Sequence, residues 1–424
     1  MTGAALEDVR SSIDTVWRIE AARVVSGLAR LLGDLGLAEE IAQDALVAAL
    51  EQWPDEGIPR NPGAWLMTTG RRRAIDRIRR EVNLRDKIAI LGRDLDDHDD
   101  PYEQADDRLD DQIGDDLLRL IFTACHPALR PDARVALTLK TVGGLSTAEI
   151  ARAFLSTEAT IAQRIVRAKR TLADKQIGFA APTAEELGER LPTVLSVIYL
   201  IFNEGYAASS GDDWLRPDLC RDALRLGRML CGLLSEQPEV FALTALMEFQ
   251  ASRLGARTDR HGRPILLLDQ DRSRWNRLLI THGLRSLQRV YELDGGRSSY
   301  GLQAAIAACH ARAATAEDTD WMMITNLYQA LAEVAPSPVV ELNRAVALGM
   351  AYGPQAGLDL VDQLRDIPAL ARYHLLPSVR GDLLARLGRE TEAAAEFRRA
   401  AELAGNDQER ELSLRRADSL SDPA

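Results

Sequence analysis

The chain has 424 residues, with 52 Lys plus Arg against 64 Asp plus Glu and a formal net charge of −12. That length is ample for two or three domains with cores of their own. Aromatics make only 5%, and a composition rich in Ala, Leu, Arg and Glu favours helix over sheet. Net acidity would count against a nucleic-acid partner if the charge were evenly spread, and here it is not.

The first residues, MTGAALEDVRSSID, lack the basic start and apolar run of a secretory signal. The longest apolar stretch, about Val194 to Phe202, is far too short to span a bilayer, so no membrane role is expected. Cys125, Cys220, Cys231 and Cys309 form no CxxC pair and read as reduced, buried thiols of a cytoplasmic protein. With six His and no HExxH, neither a metal site nor a cofactor is expected.

Leu37 to Trp53 predicts an amphipathic helix, with Ile41, Ala45, Ala48 and Ala49 on one face and Glu39, Glu40, Gln43 and Asp44 elsewhere. Those carboxylates either complement the dipole of the helix start or form an acidic docking face for a basic partner. Pro54, Pro59, Pro62 and Gly63 then break the chain before a second helix, AWLMTTGRRRAIDRIRRE. It places Arg71, Arg72, Arg73, Arg77, Arg79 and Arg80 within ten residues, a density suited to neutralising phosphates. Asp76 lies four residues from Arg72 and from Arg80 and is spaced to pair with both. Trp65 beside this basic face suits stacking on unpaired bases, or serves as ordinary core.

From Asp94 to Asp116 there are twelve acidic residues and one basic residue. The flanking stretches, Arg60 to Lys87 and Leu117 to Gly178, carry +6 each. Such a block of like charge is expected to be a disordered tether between two cationic modules, or a DNA mimic that shields them.

Leu145 to Leu172 reads as a helix-turn-helix. Ser146 or Thr147 caps a short helix that runs through Ala153, with Glu149 in its first turn, and Thr157 caps a second, basic helix. On this second helix Thr160, Gln163, Arg164 and Arg167 are spaced to face outward, with Lys169 close by, while Ile161, Ile165 and Ala168 face inward. Arg and Gln are the side chains that read guanine and adenine edges bidentately. The rest of the chain predicts helix throughout, giving an all-α fold with a seam near Phe179–Pro182.

Residues 10–178 resemble bacterial sigma factors of the extracytoplasmic-function group of the sigma-70 family, which keep only sigma regions two and four. Ala38–Leu50 resembles the helix that docks on the clamp helices of the polymerase β′ subunit, Pro62–Arg80 the segment that recognises and melts the −10 element, and Leu145–Leu172 the reader of the −35 element. The resemblance implies core RNA polymerase (β′ clamp helices and β flap) and promoter DNA as partners. It places Glu39, Glu40, Gln43 and Asp44 on polymerase. Trp65, Arg71, Arg72, Arg73, Arg77 and Arg80 fall on the −10 element, and Thr160, Gln163, Arg164, Arg167 and Lys169 on the −35 element. Two positions depart from the pattern: Arg72 stands where an Asn is common, and Leu155 where the turn usually has Gly.

The segments FNEGYAAS (Phe202–Ser209), DQDRSRW (Asp269–Trp275), TDW (Thr319–Trp321) and SPVVELNRAVAL (Ser337–Leu348) resemble a long helical extension carried by a subgroup of these factors. The extension ends in a tetratricopeptide-like pattern in which Gly381, Ala393, Phe397 and Ala400 take the packing positions. The expected organisation is therefore region two at 1–90, an acidic linker at 91–116 and region four at 117–180. A helical extension fills 181–424, with repeats near 337–406. The extension is expected to modulate the factor, through a protein or small-molecule regulator or by holding the sigma modules.

Two rival functions are a one-component helix-turn-helix regulator with a sensing domain and an enzyme fused to a DNA-binding domain. Glu204, Asp259, His261, Asp269, Asp271 and Arg272 are the residues an acid/base or metal site would use, yet they show no nucleophile–base spacing. A protein that acts by binding, without chemistry of its own, is the expectation.

Overall fold

The computed structural model describes residues 3–90, 109–154, 156–180, 182–206, 215–260, 262–405 and 407–420. Most of the expected linker, the turn residue Leu155, His261 and Ala207–Ser209 lie outside the described residues. The chain forms two compact units, Met1–Leu200 and Ile201–Ala424. The described residues are helices and loops, with one isolated bridge between Thr258 and Pro264.

In the first unit, α1 (Gly3–Leu32) packs against α2 (Leu35–Glu56), α3 (Pro62–Ile90) and α4 (Leu109–Ala124). It serves three neighbours because its apolar residues do not keep to one stripe: Ile13, Trp17, Ala21, Ala22, Val24, Val25, Leu28 and Ala29 are all buried. Small residues set the spacing. Ala38, Ala42, Ala45 and Ala49 line the buried side of α2. A Cβ on Gly70 of α3 would come within 3.0 Å of the Leu28 side chain. Asp34 ends the turn between α1 and α2 by accepting the Leu37 N–H at 2.8 Å.

The helix-turn-helix module consists of α5 (Pro131–Thr141), α6 (Thr147–Ala153) and α7 (Glu158–Asp174) packed together, with α4 against α5. Its core includes Leu120, Ile121, Leu137, Leu139, Val142, Ile150, Ile161, Ile165 and Leu172. α4 begins at Leu109, so the last residues of the acidic block are helical. Asp116 is buried there, between Arg30 at 3.1 Å and Arg119 at 2.9 Å. α8 (Ala184–Tyr206) follows, and the boundary between the units falls within it, after the expected seam. Arg190 is one reason: it donates to the Phe122 carbonyl at 2.7 Å and lies over the Phe122 ring, fastening the start of α8 to α4.

The second unit continues with α9 (Pro217–Leu233), α10 (Pro238–Ser252), α11 (Arg277–Glu292), α12 (Ser299–Arg312) and α13 (Trp321–Val334). α10 is buried on nearly every side, Glu248 included, and is enclosed by α9, α11 and α12. Helix hairpins follow: α14 (Pro338–Ala351) with α15 (Pro354–Leu364), then α16 (Leu375–Arg386) with α17 (Glu390–Leu403), closed by α18 (Asp407–Ser419). The tetratricopeptide-like positions sit in this core. Ala393, Phe397 and Ala400 are buried, and a Cβ on Gly381 would meet the Phe397 ring at 2.9 Å. Gly349 and Gly357 make the matching close crossing in the first hairpin.

Candidate nucleic-acid interface

The outward edge of α2 carries Glu40 and Asp44, both exposed, and Gln43 is half-buried. Two exposed apolar side chains, Val47 and Leu50, continue the same edge. Sequence reasoning passed over them, although their i+3 and i+7 spacing from Asp44 or Gln43 was the available signal. Glu39 differs from its neighbours. It does not face outward but is 7% exposed, held by Lys169 of α7 and 3.7 Å from Lys140 of α5. A carboxylate so enclosed needs cationic partners to offset its lost hydration.

The arginines of α3 project along one helix. Arg72, Arg77, Arg79 and Arg80 are exposed, Arg71 and Arg73 half-buried. The expected organiser was Asp76, but carboxylates of α2 pair here: Asp44 lies 3.5 Å from Arg73 and Glu40 lies 3.3 Å from Arg77. Arg80 Nε donates instead to the Asp76 carbonyl at 3.2 Å. Ile78 is 37% exposed, although it continues the i+4 row of the buried Leu66, Gly70 and Ala74. Trp65 is half-buried and packs edge-on against Trp53 at 5.3 Å. One part of its ring serves the core and the rest stays accessible beside the arginines.

The two helix starts of the helix-turn-helix form as their sequences require. Ser146 and Glu149 make a reciprocal capping box: Ser146 Oγ accepts from the Glu149 N–H at 3.1 Å, and Glu149 Oε2 accepts from the Ser146 N–H at 2.8 Å. Burial by itself would raise the Glu149 carboxyl, but the Ser146 bonds and the Arg18 guanidinium outweigh it and hold it below the usual carboxylate range. Thr157 caps α7 by accepting the Thr160 N–H at 3.1 Å.

Ile161, Ile165 and Ala168 then face inward, while Thr160, Gln163 and Arg167 are exposed. Val166, not singled out in the sequence, shares that surface at 63% exposure. Arg164 is half-buried and 3.4 Å from Asp132, and Lys169 is turned to Glu39. A helix presenting Thr, Gln, Val and Arg in this order offers hydrogen bonds to base edges and an apolar contact suited to a thymine methyl.

In the second unit, Glu204, Asp259, Asp271 and Arg272 each make structural contacts. Glu204 pairs with Arg216, and Asp259 with Arg263 at 2.7 Å. Asp271 accepts from the Ser273 N–H at 2.9 Å and from its hydroxyl. Arg272 does not pair with the neighbouring Asp271. It is buried and donates to the His310 and Ala313 carbonyls and to Thr319 Oγ1. Asp269 is exposed. No group of three or more His, Cys, Asp or Glu suited to a metal ion occurs among the described residues. Nor is any helix among them long and apolar enough to cross a membrane.

Comparison with known proteins adds to this geometry. Residues 18–83 match sigma-70 region 2, residues 119–172 match sigma-70 region 4, and residues 190–291 match a family of unknown function (DUF6596). An uncharacterised protein of Rhizobium meliloti (strain 1021) is 44% identical over 91% of this chain and 90% of its own length. The ECF RNA polymerase sigma factor SigK of Mycobacterium ulcerans (strain Agy99) is 30% identical over 35% of this chain and 78% of its own length. The probable ECF RNA polymerase sigma factor SigI of Mycobacterium tuberculosis (strain CDC 1551 / Oshkosh) is 27% identical over 41% of this chain and 58% of its own length.

Proposed function

The chain belongs to the extracytoplasmic-function group of sigma-70 factors, and from that premise we propose a division of labour among its helices. Family membership implies core RNA polymerase and promoter DNA as partners. The edge of α2 with Glu40, Gln43, Asp44, Val47 and Leu50 docks on the β′ clamp helices. The arginines of α3, with Trp65, hold the −10 element while a base leaves the stack, which costs a few kcal/mol that a protein pocket offsets. The exposed face of α7 reads the −35 major groove through Thr160, Gln163, Val166 and Arg167. Lys169 and Arg164 join it once their carboxylates release them, and region four meets the β flap. The helical extension modulates initiation through a protein or small-molecule regulator.

The observation that carries this reading is the layout of one unit: an acidic, partly apolar helix edge, an arginine-rich helix and a properly capped helix-turn-helix whose second helix is open to solvent. The test is promoter-specific transcription in vitro, with the pure chain added to core polymerase on DNA from its own upstream region. A specific start site that depends on the chain is the expected result. DNA binding without any stimulation of polymerase would defeat the proposal.

A further inference from the structure

We propose that the second unit holds an oxyanion site, built by Arg253, Arg257 and Arg272 around Tyr206 and Trp275, that takes a phosphate group. The inference deepens the reading of the extension as a modulator by naming the chemistry of its ligand, and binding can be measured without polymerase.

Three segments that stand out in the sequence meet here, although they lie far apart in the chain. FNEGYAAS contributes Tyr206, DQDRSRW contributes Arg272 and Trp275, and TDW contributes Thr319 and Trp321. Arg272 donates to Thr319 Oγ1 at 2.9 Å, and its guanidinium carbon lies 5.1 Å from the centre of the Trp275 ring. Arg253 donates to the Tyr206 hydroxyl at 2.6 Å and lies 5.7 Å from that ring and 5.8 Å from Trp275. Arg257 donates to the Tyr206 carbonyl, with its guanidinium carbon 3.7 Å from the ring centre. His310, edge-on to Trp321, completes the group.

The cluster carries more positive charge than a structural staple needs. Arg257 and Arg272 are buried, and among the described residues neither Arg253 nor Arg272 forms an ion pair. Glu317 and Asp318, the carboxylates whose charge acts on Arg272, are exposed and bonded to Thr315. Other enclosed arginines of this unit are neutralised: Arg380 lies 2.8 Å from both Asp362 and Glu396, and Arg216 pairs with Glu204. Burying guanidiniums together without such partners is costly. Burial first, with repulsion from Arg253 added, lowers Arg257 and Arg272 below the ordinary arginine range. Burial, with Arg253 and Arg272, likewise keeps His310 neutral.

Three buried polar atoms of the same group have no hydrogen-bond partner among the described residues: Arg272 Nε, Trp275 Nε1 and His310 Nδ1. A buried donor left unmatched forfeits its hydration without return. The first two are N–H donors, and a neutral imidazole can carry its proton on Nδ1. An acceptor with several oxygens and about two negative charges satisfies both the donors and the cations. A phosphate group has that character, at about −1.5 to −2 near neutral pH, and the forked donors of arginine match its edges. Tyr206, Arg253 and His310 are half-buried, so solvent reaches the cluster on their side.

The test is calorimetric titration of the full chain with inorganic phosphate and, separately, with glycerol phosphate, at an ionic strength held constant with chloride. Saturable binding with a dissociation constant of about 1 mM or tighter is expected, together with a rise in thermal midpoint that follows the occupancy. Tighter binding of the ester assigns the site to a phosphorylated small molecule, and binding of the inorganic ion at least as tight assigns it to free phosphate. Arg253→Gln should weaken binding at least about tenfold, and Arg253→Lys, which keeps the charge but not the fork, about threefold. No saturable binding of either probe by the unaltered chain, or equal affinity in Arg253→Gln, overturns the site. If the Gln variant does not fold, unchanged affinity in Arg253→Lys overturns it instead. Binding that leaves promoter-specific transcription unaltered upholds the site and defeats the modulator reading, so the two fail separately.

Discussion

At the scale of single residues, position on the helix face separates cations that look alike in sequence. Arg167 is exposed, whereas Arg164 and Lys169 are each turned to a carboxylate of the same unit. Arg167→Ala should therefore weaken promoter binding and reduce the slope of log affinity against log salt by about one, the share of one phosphate contact. A titration series from low to moderate salt reads both effects, and an unchanged slope would remove Arg167 from the backbone contacts.

His310 makes a second residue-scale prediction, in the extension. Burial, with Arg253 and Arg272 nearby, lowers its imidazole from the ordinary 6.5 to about 3. It packs edge-on against Trp321 at 5.2 Å. The folded state thus keeps it neutral while the unfolded chain takes up a proton as the pH drops below 6.5. Its contribution to stability is complete above 6.5 and is lost progressively as the pH falls toward about 3. The thermal midpoint of the extension should fall with acidification through this window, and His310→Phe should flatten that dependence. Parallel curves for the two proteins would show that His310 is not the group being titrated.

At the scale of elements, the helix starts carry much of the specification. Thr157 accepts the Thr160 N–H at 3.1 Å, and its hydroxyl lies 2.8 Å from that of Thr160. Thr157→Ala should cost about 1 kcal/mol and loosen the first turn of α7. Binding of the −35 duplex should fall more than the thermal midpoint does, because Thr160 lies in that turn. Thr157→Ser should restore both, and a Ser variant no better than Ala would place the effect elsewhere.

These caps were legible because they depend on residues three apart. The same holds for the inward face of α7, where Ile161, Ile165 and Ala168 are all buried. Glu39 was not legible, because its partners Lys140 and Lys169 lie about 100 and 130 residues away and local periodicity says nothing of them. Asp76 misled for a related reason. Its spacing from Arg72 and Arg80 fits a helical ion pair, but such pairs contribute only a few tenths of a kcal/mol. The carboxylates of the adjoining α2 reach Arg73 and Arg77 instead. Arg272 shows the same limit, since its three acceptors come from a segment some forty residues on.

At the scale of the whole molecule, the net charge of −12 conceals two modules of +6 each beside a strongly acidic stretch. Acidity did not exclude DNA, because recognition depends on where cations collect rather than on their sum. The division of the chain matters in the same way. The first unit runs to Leu200, and Arg190 of α8 donates to the Phe122 carbonyl at 2.7 Å with its guanidinium 5.4 Å from the ring centre. A chain ending at residue 180 loses this anchor, whereas one ending at residue 200 keeps it. The shorter chain should be less stable by about 1 to 3 kcal/mol, the worth of a charge-assisted hydrogen bond, as read by denaturant titration. Equal midpoints would show that the anchor contributes nothing. The longer truncation is therefore the proper reference for the extension. If residues 201–424 modulate the factor, the 1–200 chain and the full chain should initiate at different rates when polymerase is saturated with either. Equal rates would leave the extension without a part in initiation, whatever it binds.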